Sequence, residues 1–170
     1  MLHLNLNALE RTGTLQLRAA CPAADFALGR PGPELSEPVR VALTARSMAA
    51  GQVMVQGRMS TTLAQVCRRC LEPVAQTFAL PIRFVFIPDD EFDGGDDGEV
   101  HTFPAHLAEL DIAGPLREEF ALAAPMYAEC HPDCRGLCPA CGSNRNTARC
   151  ECTAPDVDAR WEKLRALTNH

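Results

Sequence analysis

Eight cysteines in four couples are the residues of this chain best placed to do chemistry. Cys67 and Cys70 stand as CRRC, Cys130 and Cys134 as CHPDC, Cys138 and Cys141 as CPAC, and Cys150 and Cys152 as CEC. A closed tetrahedral metal site takes four thiolates, and a CxxC turn aims two of them at one ion, so four couples suit two such sites. The total of nine cysteines is odd, which fits two sets of four and one spare better than complete disulfide pairing. Cys21, alone in the N-terminal segment, is the spare and reads as a partly buried small hydrophobe.

The couples can combine in more than one way. In the simplest, CPAC closes with CEC over the short loop from Gly142 to Arg149, and CRRC closes with CHPDC across a long stretch of sequence. In the crossed arrangement CRRC joins CPAC, which forces CHPDC and CEC together; a single site is a third arrangement. Structural zinc, two ions per chain, is the expected occupant, although tetrahedral sulfur also accepts iron. A zinc ion joining distant segments contributes on the order of 10 kcal/mol of folding free energy, which matters in a small, aromatic-poor core.

Other chemistries find less to work with. A redox CxxC belongs at a helix start after a strand, whereas CRRC is followed by LEPVAQTF, which contains a proline and reads as strand. His131 could replace a neighbouring cysteine as ligand, but His3, His101, His106 and His170 are scattered. Neither an activated serine nor a glycine-rich phosphate loop is present. The chain is therefore expected not to be an enzyme and to have no small-molecule substrate.

The elements that must position these cysteines read as α+β. With 46% hydrophobic but 5% aromatic residues, the core must be mainly aliphatic. Leu2, Leu4 and Leu6, then Leu15 and Leu17 across Gly13, read as a strand or hairpin. Residues 29–38 read as a loop because of their prolines and glycines. VRVALTAR, GQVMVQGRMS and TTLAQVC alternate around Gly51 and Gly57 and predict antiparallel strands joined by tight turns. A further strand is expected from Gln76 to Ile87, with Pro81 marking an edge, bulge or break. A helix should begin near Gly114 or Pro115, with Leu116, Phe120 and Ala124 on one face and Glu118 and Glu119 early in it. Residues 156–168 predict a terminal helix anchored by Trp161.

These elements make an antiparallel sheet or partly open barrel packed with one or two helices, over residues 1–126. Residues 127–170 make a small zinc module with a terminal helix, fastened to the body through Cys67 and Cys70. The N-terminus lacks an export signal and no run is apolar enough to span a membrane, so a cytoplasmic location and no membrane partner are expected.

Formal charge is −6, which argues against nonspecific coating of nucleic acid. The distribution is uneven: Arg40, Arg46, Arg58, Arg68 and Arg69 occur from Val39 to Leu71 with no acid, whereas Asp89 to Glu99 carries seven acids and no base. The acidic stretch reads as an exposed loop, and it lacks the ordered ligand pattern of a calcium loop.

At CRRCLEP, LDIAGPLREEFALAAPM, CHPDCRGLCPACGSNRNTARCEC and VDARWEKLRAL the sequence resembles the YceD family, over roughly Val39 to Leu167. The resemblance implies a ribosome-biogenesis factor linked to accumulation of large-subunit (23S) ribosomal RNA, often encoded beside a large-subunit ribosomal protein. It places the aspartate of the family's LDI-like block at Asp111, its helix acid at Glu118 or Glu119, and its terminal ligands at Cys130, Cys134, Cys138, Cys141, Cys150 and Cys152. Arg135, Gly136, Leu137 and Gly142 fall in the linking turns. Some relatives resemble this chain at CRRC while losing much of the terminal cluster, which fits two separable sites. Arg145 and Asn146 depart from a more apolar Asn-Leu-Asn run. The implied partner is large-subunit ribosomal RNA or its precursor particle, with Arg58, Arg68 and Arg69 as the best phosphate-facing residues. The alternative is an adaptor whose acidic loop engages a basic ribosomal protein.

Overall fold

The computed structural model describes residues 2–29, 32–92, 94, 100–153 and 160, and divides into two compact units. Unit 1 comprises Met1–Gln65 and Val74–Tyr127, and unit 2 comprises Val66–Pro73 and Ala128–His170. In chain order the elements are β1 (His3–Asn5), α1 (Leu6–Thr12), β2 (Thr14–Cys21), β3 (Glu34–Leu35), β4 (Val39–Ser47), β5 (Val53–Val66), β6 (Pro73–Pro88), β7 (Val100–Phe103), β8 (Glu109–Asp111) and α2 (Ala113–Ala123). The class is α+β.

Alternation builds the main sheet. In β4, Val39, Val41, Leu43 and Ala45 are buried while Arg40, Ala42 and Arg46 are exposed, the period-2 signature of a strand with one wet face. The sheet runs β2-β4-β5-β6-β7, with β3 added to β5, and β1 pairs with β8 in a separate ribbon. β2 with β4 and β4 with β5 are antiparallel, but β6 and β7 are parallel, Val85 opposite Val100. The sheet is thus open and mixed rather than purely antiparallel. A parallel neighbour requires a connection of about a dozen residues, and the acidic stretch from Asp89 to Glu99 is that connection. Of it, Asp93 and residues 95–99 lie outside the described residues.

Few aromatics suffice because they converge. Phe120 of α2 meets Phe26 and Phe78 edge to face, each with ring centroids 5.6 Å apart, and Phe84 meets Phe86 at 5.9 Å. Leu116, Phe120 and Ala124 are buried on one side of α2, as their spacing predicts. Each such Leu or Phe contributes about 2 kcal/mol relative to exposure. Asp111 Oδ1 accepts a hydrogen bond from Ala113 N at 2.9 Å, so the aspartate expected from the family's LDI-like block closes the start of α2. Because the helix begins at Ala113, its first turn carries no acid, and Glu118 and Glu119 lie beyond the terminus where negative charge is favoured.

Several local expectations change. Leu6 does not continue a strand but opens α1, because Asn5 Oδ1 accepts from Ala8 N at 2.7 Å and caps a run of helix formers. Within the expected loop at 29–38, Glu34 and Leu35 pair with Ala64 and Leu63. Of the alternatives for Pro81 the edge holds and the break does not: β6 runs unbroken from Pro73 to Pro88, and β7 joins it only from Val85, so on that side no ladder bond is lost at residue 81. Gly57 is not a turn, since Val53–Val66 is one strand. The expected terminal helix and Trp161 lie outside the described residues.

Candidate metal centres in unit 2

The sequence folds two CxxC turns into the same shape. In CRRC, Leu71 N donates to Cys67 O at 2.9 Å and Cys67 N donates to Glu72 O at 2.8 Å; in CPAC, Gly142 N donates to Cys138 O at 2.8 Å and Cys138 N donates to Ser143 O at 2.9 Å. The residue after the second cysteine is left-handed in both, with φ 61° at Leu71 and 72° at Gly142. Glycine meets this demand freely, whereas a left-handed leucine costs about 1–2 kcal/mol. Leu71 is 62% exposed, so little burial offsets the strain. We expect Leu71→Gly to stabilise the metal-loaded protein by about 1 kcal/mol, read as a higher urea midpoint; an unchanged or lower midpoint would remove strain at Leu71 from the account.

The turns deliver eight sulfurs into two groups. Cys67, Cys70, Cys130 and Cys134 form one, Cys138, Cys141, Cys150 and Cys152 the other, with the sulfurs in each group all within 4.8 Å of one another. This is the simplest combination of couples, not the crossed one. In the first group Cys67 Sγ is 3.8 Å from Cys134 Sγ and Cys70 Sγ is 3.6 Å from Cys130 Sγ. Sulfurs at the corners of a tetrahedron with metal–sulfur bonds of about 2.3 Å stand about 3.8 Å apart. A disulfide would bring them to about 2.05 Å, and all nine cysteines are free. The donor set therefore fits a four-coordinate zinc or iron ion in each group. Cys21 is buried in the core of unit 1, where burial pushes its thiol pKa up, and the exposed His131 belongs to neither group.

Backbone N–H groups prepare part of each set to ionise. Those of Cys70, Arg69 and Cys130 lower the Cys67 thiol to about 6. The Ser143 hydroxyl and backbone lower Cys141 to about 6. Burial, with the neighbouring sulfurs of its group, pushes Cys130 up to about 12, and the adjacent Cys141, with burial, does the same to Cys152. Four thiolates repel one another, so some keep their protons unless a cation shares the charge. A divalent ion supplies that charge.

A supporting shell comes from residues that spacing alone does not disclose. Burial raises the Cys134 thiol, but donation from Asn146 and the Gly136 backbone outweighs it and the net shift is downward. Asn146 Nδ2 donates to Cys134 Sγ at 3.3 Å, while its Oδ1 accepts from Arg135 N at 2.7 Å. Asn144 Nδ2 donates to Glu72 Oε1 at 3.2 Å, and Leu137 N donates to Arg69 O at 3.1 Å. The only sequence hint was the polar pair itself, Asn144 and Asn146, in a loop between ligands. Among the sequence-predicted arginines, Arg68 is paired with Glu129, Arg69 is exposed in the same turn, and Arg58 is exposed on β5 of unit 1.

Residues 55–168 match the profile of the family described as "Large ribosomal RNA subunit accumulation protein YceD". The chain belongs to the YceD family. Among its relatives, "Large ribosomal RNA subunit accumulation protein YCED homolog 1, chloroplastic" of Zea mays is 32% identical over 136 residues, covering 63% of this chain and 46% of that protein. An uncharacterized protein of Mycobacterium tuberculosis is 29% identical over 125 residues, covering 72% of this chain and 58% of the relative. The chain thus spans about half the length of the curated relatives it matches. No solved structure matches it. The profile takes in all eight paired cysteines of this YceD chain, so both sulfur groups lie inside the family region.

Proposed function

We propose that this YceD protein is a noncatalytic ribosome-biogenesis factor that supports synthesis, processing or stability of large-subunit (23S) ribosomal RNA, with eight cysteines holding two structural zinc ions. The observation that carries the reading is the pair of complete four-sulfur groups in a chain of this family. Four thiolates fill a tetrahedral shell and leave no open position for substrate or activated water, so the ions hold the fold rather than react. Zinc is preferred to iron because the chain offers nothing else that points to electron transfer. The reducing cytoplasm suits eight free thiols, and no helix among the described residues is long and apolar enough to cross a membrane.

The partner in this reading is large-subunit ribosomal RNA or its precursor particle, with a large-subunit ribosomal protein as the secondary partner. Tagged protein in gradient-fractionated lysate is expected to co-sediment with precursor large-subunit particles at mild salt, and its depletion to lower 23S relative to 16S RNA. Absence from those fractions together with an unchanged RNA ratio would reject the reading.

A further inference from the structure

One face of the unit 1 sheet carries the core; the other is wet and basic. Strands β2, β4, β5 and β6 together hold five arginines and not one Asp or Glu, in a chain that has 22 acids. The register shows how these arginines lie. Arg18 pairs with Ala42, and Ala42 pairs on its other side with Arg58. Directly opposed residues share a face, so the two arginines flank Ala42 at about 10 Å from each other, two strand spacings apart. Arg40 and Arg46 stand on the same face of the central strand β4, about 20 Å apart at about 3.4 Å per residue.

All four arginines are exposed, and so is Ala42 between them, which leaves a low centre ringed by guanidinium groups. None of the four has an ion-pair partner among the described residues. Arg83 on β6 is exposed between the buried Ile82 and Phe84 and extends the basic surface. Among the described residues acids border the face at both ends. Past the Arg40 end Glu34 opposes Ala64 and the Glu37 carboxylate accepts from the Thr62 hydroxyl at 3.2 Å; towards the Arg46 end β6 leads through Pro88, beside Gly51, into Asp89, Asp90 and Glu91.

The chemistry of this face selects its partner. Unpaired guanidinium groups on a rigid sheet attract anions, and their planar forks match phosphate oxygens. The face offers no Phe, Tyr, Trp or Leu from β2, β4 or β5, and its apolar side chains beside the arginines are half-buried, Met54 opposite Arg46 and Val85 and Ile87 beyond Arg83 on β6. It therefore lacks both the protruding apolar anchors of a membrane-surface site and the stacking platforms of a single-strand site. Its charges are spread over an area the size of a helical backbone segment, without groups arranged to read base edges. We infer that the exposed face bearing Arg18, Arg40, Arg46 and Arg58 docks the phosphate backbone of double-helical RNA, by charge and shape rather than sequence. This rests on the ribosomal RNA reading above and gives it a surface.

The test uses the full zinc-loaded chain and a generic-sequence RNA duplex across 50–200 mM potassium chloride. Contact of four arginines with phosphates gives a slope of log affinity against log salt of about −3.6, taking about 0.9 per phosphate. The fourfold Arg→Gln variant at these positions should bind roughly a hundredfold more weakly and lose most of that slope, while fourfold Arg→Lys keeps most of it. Should the fourfold change disturb the circular dichroism spectrum, Arg18→Gln and Arg58→Gln carry the test singly, each lowering the slope by about 1. Unchanged affinity and slope in the folded Gln variants, or tighter binding of the wild type to anionic phospholipid vesicles or polyglutamate than to the duplex, overturns the inference. If the Gln variant still co-sediments with precursor particles as the wild type does, the face is wrong and the family role stands. Failure of the wild type itself to co-sediment, together with an unchanged ratio of 23S to 16S RNA on depletion, removes the role.

Discussion

A strong chelator at neutral pH is expected to take two zinc ions from each chain in two steps and to unfold unit 2 while leaving unit 1 folded. The reason lies in what unit 2 buries. Its buried apolar residues among those described are Cys67, Cys70, Cys134, Cys138 and Ala128: four metal-ligand candidates and one alanine. So small a hydrocarbon core cannot offset the ordering entropy of a segment this size, whereas a structural zinc site contributes on the order of 10 kcal/mol. Unit 1 keeps its own core of Leu, Val and Phe. The group at Cys138 should empty first, because three of its four cysteines are not buried, against one of four in the group at Cys67. Cys134→Ser should reduce bound zinc from two ions to one and abolish amide-exchange protection around residues 67–72 and 128–137. Cys152→Ser should lower metal content equally yet leave protection near Cys67 largely intact. Freshly purified reduced protein with almost no metal, or unit 2 amides still protected after chelation, would sink the two-zinc account.

The chemistry was more legible than the architecture, and for a physical reason. Metal ligation imposes residue type and spacing at once, so the eight cysteines stood out; the short loop from Gly142 to Arg149 made one grouping the simplest, but only the structure separates it from the crossed one. The sheet strands were legible where alternation was strong, as in Val39–Ser47. What stayed hidden was non-local. The parallel pairing of β6 with β7 depends on a connection whose composition signals only exposure, and α1 depends on a single Asn5 cap in a leucine alternation that equally suits a strand. Asn146 acts through the fold of its loop, bonding Cys134 and Arg135, and no spacing rule points to it. The arginine face is intermediate: alternation in β4 puts Arg40 and Arg46 outward, but only the register sets Arg18 and Arg58 on either side of Ala42.

Gly57→Ala should be among the most damaging single-methyl changes in unit 1. Glycine here looks like a turn residue in sequence, yet it sits within β5 opposite Leu43, at φ 157°. A Cβ at this position would lie 2.1 Å from Ala42 O, 2.8 Å from Leu43 Cα and 3.1 Å from Ala42 C. All three are backbone atoms of β4, so no side chain can rotate away and the central strand pair must separate. Overpacking of a rigid site costs about 1–3 kcal/mol and sometimes more, and alanine at a positive φ adds to it, so the expected loss is about 3 kcal/mol or more. For a chain of this size that lowers the melting temperature by roughly 6–12 °C. Gly114→Ala is the internal control: its Cβ would meet nothing within 4 Å, and in α2 the change should stabilise by a few tenths to about 1 kcal/mol. Because the two substitutions add the same methyl group with opposite expected signs, urea titration of both zinc-loaded variants separates close strand approach from any general effect of losing a glycine. A Gly57→Ala protein as stable as the wild type would mean that β4 and β5 do not cross as closely as Ala42 and Gly57 place them, and would loosen the register on which the arginine face depends.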